Sequence, residues 1–324
     1  MKPSPASTLI QPLAVIVFTM AVMLLSSAMA RADLLFVGDD WGTNLYEFDT
    51  AAGGWSKAVF CGEIHGVNGL STDGKGNIYE SDFGSRTIQK FTPDGQHTVF
   101  AELDSSGGGL AFDHEGNLYV PYQWAGRIDK LNADGSLSSV IATNLGAPVQ
   151  VAFDRSGQLF AADQKTGAVY KFDDDGGRTT FAAGLRANSL TFDSHGNLFV
   201  GGGGGIYKFA PGAAQSLFSR KFKGASCLVF DSRGNLFVTA GRGDVYEFKN
   251  QGGTLATEPV RFARGLGHNY FITVMPGSMP LTTLLVKSFK AFRFLWASGL
   301  LLLLTAAIGV GIVLVRKRRR APSA

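Results

Sequence analysis

Polar side chains recur at two fixed distances from an aspartate that repeats along the chain. The repeated residues are Asp73, Asp113, Asp154, Asp193 and Asp231. Asn68 and Asn188 stand five residues before two of them, and Asp82, Tyr122 and Asp163 stand nine residues after three. Amide and carboxylate oxygens are ligands that a calcium ion takes, at about 2.3–2.6 Å. If these positions converge, they predict a site for a hard divalent cation, with a further carboxylate as a base.

Four more residues occupy comparable positions. His65 and His268 lie in loops that precede strands, where an imidazole can act as a base or a ligand. Asp39 and Asn269 match the two recurring positions at the beginning and the end of the repeat region. The alternative is that these residues have no functional role. Asn and Asp at strand ends commonly form hydrogen bonds with backbone groups of loops, and an isolated histidine in a loop is commonly a solvated surface residue. Both interpretations stay open at the level of sequence.

The elements that position these residues belong to a repeat of roughly 40 residues. The aligned segments are GLSTDGKGNIYE from 69, GLAFDHEGNLYV from 109, QVAFDRSGQLFA from 150, SLTFDSHGNLFV from 189 and CLVFDSRGNLFV from 227. Each unit alternates four short apolar runs with turn residues, which predicts four strands, a to d, rather than helices. Asp bonds its own downstream backbone and Gly accepts positive φ, so DxxGN predicts a tight hairpin between a and b.

The two ends of the repeat region predict how the sheets close. Residues 34–61 match strands b, c and d with no strand a before them, whereas residues 269–274 match strand a alone. Pairing these pieces completes a sixth unit and removes the open edges of the array. The predicted fold is therefore all-β, a six-bladed β-propeller over residues 33–275 that is closed by its N- and C-terminal strands.

The repeat resembles the NHL family and the related gluconolactonase-like propellers, on the DxxGNLYV segments and over roughly residues 34–275. VNGL at 67 is similar to an Asn-Gly segment of the gluconolactonase-like enzymes. The resemblance implies a metal-dependent lactonase, in which the metal polarises a lactone carbonyl and activates water. Asn68, Asn188 and Asp82 would hold the divalent cation, for which calcium is the candidate, and Asp163 would act as the base.

In such a ring, the d-to-a and b-to-c connections open on one face, and the DxxGN turns lie on the other. The positions before and after the repeated aspartates are therefore expected at one mouth of the central channel. A small molecule, a carbohydrate or a protein would bind there. The residues expected to contact it are Asp39, His65, Tyr122, His268 and Asn269.

The terminal segments predict an anchored protein. Residues 1–32 have a basic start, an apolar stretch and an AxA pattern, which indicates a signal peptide. Residues 294–315 carry no charge and are long enough to span a membrane as a helix. Residues 276–293 would form a juxtamembrane linker, and the basic residues of 316–324 favour a cytoplasmic tail. The expected location is the cell membrane, with a single span and an extracytoplasmic propeller.

Charge and composition limit the function classes. Residues 31–286 hold 21 basic and 26 acidic residues, so the body is mildly acidic and nucleic-acid binding is not expected. The leading interpretation is a module that binds a ligand or a protein, and the alternative is the lactonase. A spacer between surface components is a third possibility. Cys61 and Cys227 are expected at different distances from the axis and therefore unpaired.

Overall fold

The computed structural model describes residues 32–39, 43–62, 64–173, 176–212, 215–240, 243–267 and 269–277. Within these ranges the chain forms six four-stranded antiparallel sheets, a two-stranded hairpin and a 3-10 helix at Gly54–Ser56. The predicted six-bladed propeller is confirmed. In this part of the chain no helix has the length and apolar character needed to cross a membrane. The predicted signal peptide up to residue 31, the linker beyond 277, the membrane helix and the basic tail lie outside the described residues.

Each sheet is one blade, and its strands follow the order a, b, c, d. Blade 1 contains β26 (Asn269–Met275), β1 (Leu34–Asp39), β2 (Asn44–Asp49) and β3 (Ala58–Gly62). Blade 2 contains β4 (Val67–Thr72), β5 (Ile78–Asp82), β6 (Thr87–Phe91) and β7 (His97–Glu102). Blade 3 contains β8 (Ala111–Phe112), β9 (Leu118–Tyr122), β10 (Arg127–Leu131) and β11 (Leu137–Ala142).

The second half of the ring repeats this order. Blade 4 contains β12 (Pro148–Phe153), β13 (Leu159–Asp163), β14 (Ala168–Phe172) and β15 (Arg178–Ala182). Blade 5 contains β16 (Ser189–Phe192), β17 (Leu198–Gly202), β18 (Gly205–Phe209) and β19 (Gln215–Ser219). Blade 6 contains β20 (Cys227–Phe230), β21 (Leu236–Ala240), β22 (Asp244–Phe248) and β25 (Val260–Ala263), with a hairpin of β23 (Asn250–Gln251) and β24 (Thr254–Leu255) inserted before β25.

The repeated aspartate builds the hairpin between strands a and b. In blade 3, Asp113 Oδ1 accepts hydrogen bonds from the backbone N–H groups of Glu115 at 3.0 Å and Asn117 at 2.8 Å. Asp113 Oδ2 accepts a third from the Asn117 side-chain amide at 2.8 Å. Gly116 adopts a φ of 86°, which favours glycine at this position. The DxxGN turn predicted from the sequence is therefore confirmed.

Aromatic rings hold neighbouring blades together. Tyr79 on strand b of blade 2 meets Phe100 on strand d of the same blade and Phe112 on strand a of blade 3, both edge to face, with centroids 4.9 and 4.8 Å apart. Phe160 repeats this arrangement between blades 4 and 5, with Phe181 of blade 4 and Phe192 of blade 5. Each such pair contributes about 0.5–1.5 kcal/mol beyond the burial of apolar area.

The ring closes between the first and last described strands. β1 pairs with β26 in antiparallel register, with Leu35 opposite Val274. Asp33, which is 1% exposed, joins this closure to blade 6. Its Oδ1 accepts hydrogen bonds from the Gly277 N–H at 2.7 Å and the Ser232 hydroxyl at 3.0 Å, and its Oδ2 accepts one from the Ser232 N–H. The predicted closure by N- and C-terminal strands is confirmed.

A buried carboxyl lies between blades 1 and 2. Glu80 is fully buried, and neither of its oxygens has a hydrogen-bond partner within the described part of the chain. Its cross-strand neighbour Gln89 also has an unpartnered Oε1. Burial raises the pKa of the Glu80 carboxyl well above its ordinary value, and the nearby Asp82 charge adds to the effect. In its protonated form Glu80 can donate a hydrogen bond, and Gln89 Oε1 is an acceptor on the paired strand.

The same region contains one of two free thiols. Cys61 and Cys227 form no disulfide, as predicted. Burial, with a contribution from Glu80, raises the pKa of Cys61 to about 12, and burial raises that of Cys227 to about 11. Both thiols therefore stay protonated at neutral pH, and neither has the lowered pKa of a reactive cysteine.

We expect Glu80→Gln to make the protein more stable at pH 8 by about 1–2 kcal/mol and to change little near pH 4. Because the native pKa is raised, the folded protein holds a proton that the unfolded chain releases above its ordinary pKa of about 4.3. The stability that Glu80 contributes is therefore greatest at low pH and is lost as pH rises toward the native pKa of Glu80. Urea unfolding from pH 4 to pH 8 measures the difference. Glu102→Gln, at an exposed position of the same blade, is the control; identical pH profiles for wild type and Glu80→Gln would contradict this account.

Candidate functional site

A cavity of about 450 Å³ opens at one mouth of the central channel, which we call the axial cavity. The residues five before the repeated aspartates all line it: Asn68, Gly108, Val149, Asn188 and Ser226. The other lining residues are Gln123, Gln164, Gly224 and Phe271. The structure thus brings together residues as far apart in sequence as Asn68 and Phe271, because the beginning of each strand a faces the same mouth.

Gln150 lies in the channel, one residue along strand a from Val149, which lines the axial cavity. Its side-chain Nε2 lies 3.9 Å from Cys227 Sγ, and its Oε1 accepts a hydrogen bond from the Leu190 N–H at 3.3 Å. These contacts join the inner strands of blades 4, 5 and 6 below the mouth. Opposite them, a Cβ on Gly109 would lie 2.7 Å from the Gln150 side chain and 2.9 Å from Phe271. Residues of blades 1, 3, 4 and 6 therefore pack closely in the channel at this level.

Side-chain amides form a hydrogen-bonded chain across three blades at the mouth. Gln123 Nε2 donates to Gln164 Oε1 at 3.0 Å, and Gln164 Nε2 donates to Asn188 Oδ1 at 2.9 Å. On the far side, Asn68 Nδ2 donates to the Gly107 carbonyl at 2.6 Å. Each primary amide has two donor hydrogens and two acceptor lone pairs. The chain therefore orients the amides and leaves hydrogen-bonding capacity for a ligand.

Asp82 and Asp163 lie beneath the loops of the mouth and do not line the cavity. Asp163 is fully buried, and its two oxygens accept hydrogen bonds from the N–H groups of Gly146, Ala147 and Thr166 at 2.7, 3.0 and 2.9 Å. Asp82 is 1% exposed and accepts hydrogen bonds from the His65 N–H at 3.1 Å and the Ser85 N–H at 2.8 Å. Each carboxylate joins a d-to-a connection to the b-to-c turn of the following blade.

The other sequence candidates are distributed around the mouth. The His65 side chain is 71% exposed, with Nδ1 at 3.5 Å from Asp82 Oδ2. Tyr122 is buried beneath the Arg127 guanidinium, which lies 4.4 Å from its ring centroid, and burial raises the pKa of its phenol. Asp39 and Asn269 are paired residues of β1 and β26 at the mouth end of blade 1. His268 lies outside the described residues.

Three of the polar residues at the axis have no counterpart among the sequence candidates. Gln123 and Gln164 directly follow Tyr122 and Asp163, so both occupy the same position of adjacent repeats. The recurrence of glutamine at the end of strand b in two neighbouring repeats was the sequence signal that could have identified them as residues of the site. Gln150 begins an aligned segment where other repeats have Gly, Ser or Cys, and nothing local indicates that its side chain crosses the channel.

The donor chemistry of the axial cavity suits an uncharged polar ligand. Its side chains supply amide groups and one hydroxyl, with Phe271 as an apolar wall. No carboxylate lines it among the described residues, and these contain no cluster of three or more His, Cys, Asp or Glu suited to a metal. Calcium sites in proteins rely on carboxylates together with carbonyl oxygens. The described lining therefore fits hydroxyl-rich or amide-containing molecules better than a cation.

Comparison with known proteins gives fold relationships. No protein-family model matches the chain, and no curated protein does. Among solved structures, a chain of a nidogen/laminin complex has a TM-score of 0.66 at 19% identity, over 76% of this chain and 98% of that one. The gluconolactonase XC5397 from Xanthomonas campestris has a TM-score of 0.58 at 19% identity, over 74% and 90%. A streptogramin B lyase has a TM-score of 0.54 at 14% identity, over 77% and 92%.

These identities are too low to transfer an activity, because one propeller fold supports both binding modules and enzymes. The comparisons and the repeat pattern of the sequence agree on the architecture. The chain is a six-bladed β-propeller whose fold is similar to laminin-type and gluconolactonase-like propellers.

Proposed function

We propose that this protein is a membrane-anchored, extracytoplasmic binding module whose axial cavity takes a small polar ligand such as a carbohydrate unit. The observation that carries the proposal is the chain of amides from Gln123 through Gln164 to Asn188 around the axial cavity. A concave pocket of a few hundred Å³ with a few fixed polar groups is the usual form of a small-molecule site. Saccharide hydroxyls both donate and accept hydrogen bonds, as primary amides do.

The path of the chain supports the anchored arrangement. β26 begins at the mouth and ends at Met275 on the opposite face, where Gly277 and Ser232 both bind Asp33. The predicted linker over residues 276–293 and the predicted span over 294–315 would thus begin on the face away from the cavity. The axial cavity would then face away from the membrane, where it is accessible to ligands or protein partners outside the cell.

We expect Gln164→Ala combined with Asn188→Ala to weaken saccharide binding at least about tenfold, because two ligand hydrogen bonds and the amide chain are lost. The full-length protein in neutral detergent is titrated calorimetrically with a panel of neutral mono- to tetrasaccharides. Gln251→Ala removes an exposed amide on the opposite face and is the matched control. Unchanged affinity in the double variant would exclude the axial cavity as the site.

The lactonase is the second candidate, favoured by Asn68 and Asn188 lining the same cavity. In that interpretation, these amide oxygens and Asp82 hold a divalent cation and Asp163 is the base, which requires both carboxylates to leave the loop N–H groups that they now bind. The same protein is tested with a lactone panel, with and without calcium. Calcium-dependent turnover that is lost in Asn68→Ala would favour the enzyme, whereas saccharide binding without turnover would favour the binding module.

A further inference from the structure

The loops around the axial cavity are rich in basic residues. We define this mouth face as the d-to-a connections and b-to-c turns. Its described loops contain one acidic residue, Asp104, and seven lysines and arginines, while five further acidic residues lie at the adjoining strand ends: Asp39, Asp82, Glu102, Asp163 and Asp244. The basic residues are Arg86, Lys165, Arg186, Arg220, Lys221, Lys223 and Arg264. This concentration is not visible in the overall composition, because the body of the chain is mildly acidic.

The opposite face has the reverse charge. Its described a-to-b and c-to-d turns, with Asp33 and without Glu258, which pairs with Lys221, contain ten acidic residues: Asp33, Asp73, Asp94, Asp113, Glu115, Asp134, Asp154, Asp173, Asp193 and Asp231. They contain five basic residues: Lys57, Lys75, Arg155, Arg233 and Lys249. The loops at the cavity end are therefore richer in cations, and the turns at the other end are richer in carboxylates. Exposed lysines and arginines in those loops attract an anionic ligand to the cavity end.

Most cations of the mouth face lack an acidic partner. Asp104 pairs with Arg127 at 2.6 Å, and Lys221 pairs with Glu258. The other six basic residues form no ion pair within the described part of the chain. Charges that are not neutralised locally stay available to a ligand, within the roughly 8–10 Å over which physiological salt screens them.

Three of these cations stand next to the lining of the axial cavity. Lys165 follows Gln164, and Lys223 precedes Gly224. Arg186 lies two residues before Asn188, and its side chain packs over Gly203, whose added Cβ would lie 3.0 Å from Arg186 Cδ. All three are exposed and belong to the connections of blades 4 and 5 and the loop into blade 6. Each therefore lies within two residues of a position that lines the cavity.

Exposed aromatic rings also lie on the mouth face. Trp124 is 73% exposed and directly follows Gln123, and Phe83 is 51% exposed in the equivalent turn of blade 2. Trp124, beside a residue that lines the cavity, offers an aromatic face to a ligand that extends beyond the cavity. The C–H face of a sugar ring packs well against such rings, and a polymer can reach both the rings and the cations at once.

The geometry points to an acidic polysaccharide as the ligand. One sugar unit occupies the axial cavity, its neighbours pack on Trp124, and their carboxylates pair with Lys165, Arg186 and Lys223. This inference rests on the proposed function and adds the charge class and the polymeric nature of the ligand. An acidic peptide would meet the cations equally well, but it would not use the polar cavity and the aromatic rings in the way that a hydroxyl-rich chain does.

The test compares polygalacturonate with its fully methyl-esterified form, which has the same sugars without charge. We expect the full-length protein to bind polygalacturonate more tightly than the ester, with an affinity that falls as salt is raised. Replacing Lys165, Arg186 and Lys223 together by Gln should weaken polygalacturonate binding about tenfold and leave ester binding unchanged. The control is Lys75→Gln, Arg155→Gln and Lys249→Gln on the opposite face, which changes net charge equally.

The outcomes separate this inference from the proposed function. Equal losses in the two triple variants, or equal affinity for polygalacturonate, poly-L-glutamate and single-stranded DNA, would show generic attraction of polyanions and overturn the inference. Binding of neutral saccharides that depends on Gln164 and Asn188 but not on the three cations would overturn it and leave the proposed function standing. If no saccharide of either kind binds, both are wrong.

Discussion

Asp163→Ala is expected to lower the free energy of unfolding by about 3 kcal/mol. The carboxylate is fully buried and accepts three backbone hydrogen bonds, from Gly146, Ala147 and Thr166. Alanine leaves those N–H groups without an acceptor in a space closed to solvent, and each unsatisfied buried donor costs about 1–3 kcal/mol. Urea unfolding at pH 7, followed by tryptophan fluorescence, measures the loss.

Two further variants distinguish loop positioning from catalysis. Asp163→Asn keeps one acceptor oxygen and should lose less stability than Asp163→Ala. Gln164→Ala changes the adjacent exposed side chain and should leave the free energy of unfolding nearly unchanged. A stable Asp163→Ala protein that had lost calcium-dependent lactone turnover would contradict a positioning role and support Asp163 as the base.

Asp33→Ala is expected to cost a similar amount, about 3 kcal/mol, through the closure of the ring. Asp33 is 1% exposed and accepts hydrogen bonds from Gly277 after β26 and from Ser232 in blade 6, so it joins three separate segments. Hydrogen bonds to a charged acceptor are each worth about 1.5–3 kcal/mol. Their loss should also allow β26 to separate from β1 more often, since this pairing alone joins the two ends of the described chain in one sheet.

Hydrogen exchange locates this effect. The amides of β26 that pair with β1 should exchange faster in Asp33→Ala than in wild type, whereas those of blade 4 should follow global unfolding in both proteins. Asp134→Ala, in an exposed c-to-d turn where the carboxylate bonds only Ser136, is the control and should alter neither measurement. Unchanged exchange in β26 of the Asp33→Ala protein would show that the closure does not depend on this residue.

The blades follow from local signals that a sequence displays directly. Asp113 and Asn117 build their hairpin with groups no more than four residues apart, so the DxxGN pattern contains the whole interaction. The closing strand at Asn269–Met275 was predictable because the first repeat unit lacks strand a and the end of the repeat region supplies a single strand a. The convergence of Asn68 and Asn188 at one mouth follows from the same repeat geometry.

The chemistry at the mouth depended on contacts between distant segments. Asp163 was predicted as a base, but its side chain meets N–H groups 16 and 17 residues earlier in a loop whose path the sequence does not indicate. The Gln150 side chain lies in the channel and contacts Cys227, which is 77 residues away in the sequence. The cation ligands and the base stay predictions, as do the signal peptide, the membrane helix and the cytoplasmic tail.

The sequence alone determined the number of blades, the order of strands, the face to which each connection belongs and the pairing of the chain ends, because β-repeats encode these in short-range spacing and turn chemistry. Only the tertiary structure decided which polar groups are available to a ligand. Asp82 and Asp163 turn inward to satisfy loop N–H groups, while Gln123, Gln164 and Asn188 remain at the cavity. The reason is physical: a side chain at a strand end goes where the unsatisfied backbone donors of a neighbouring loop lie, and those positions exist only after the blades have packed.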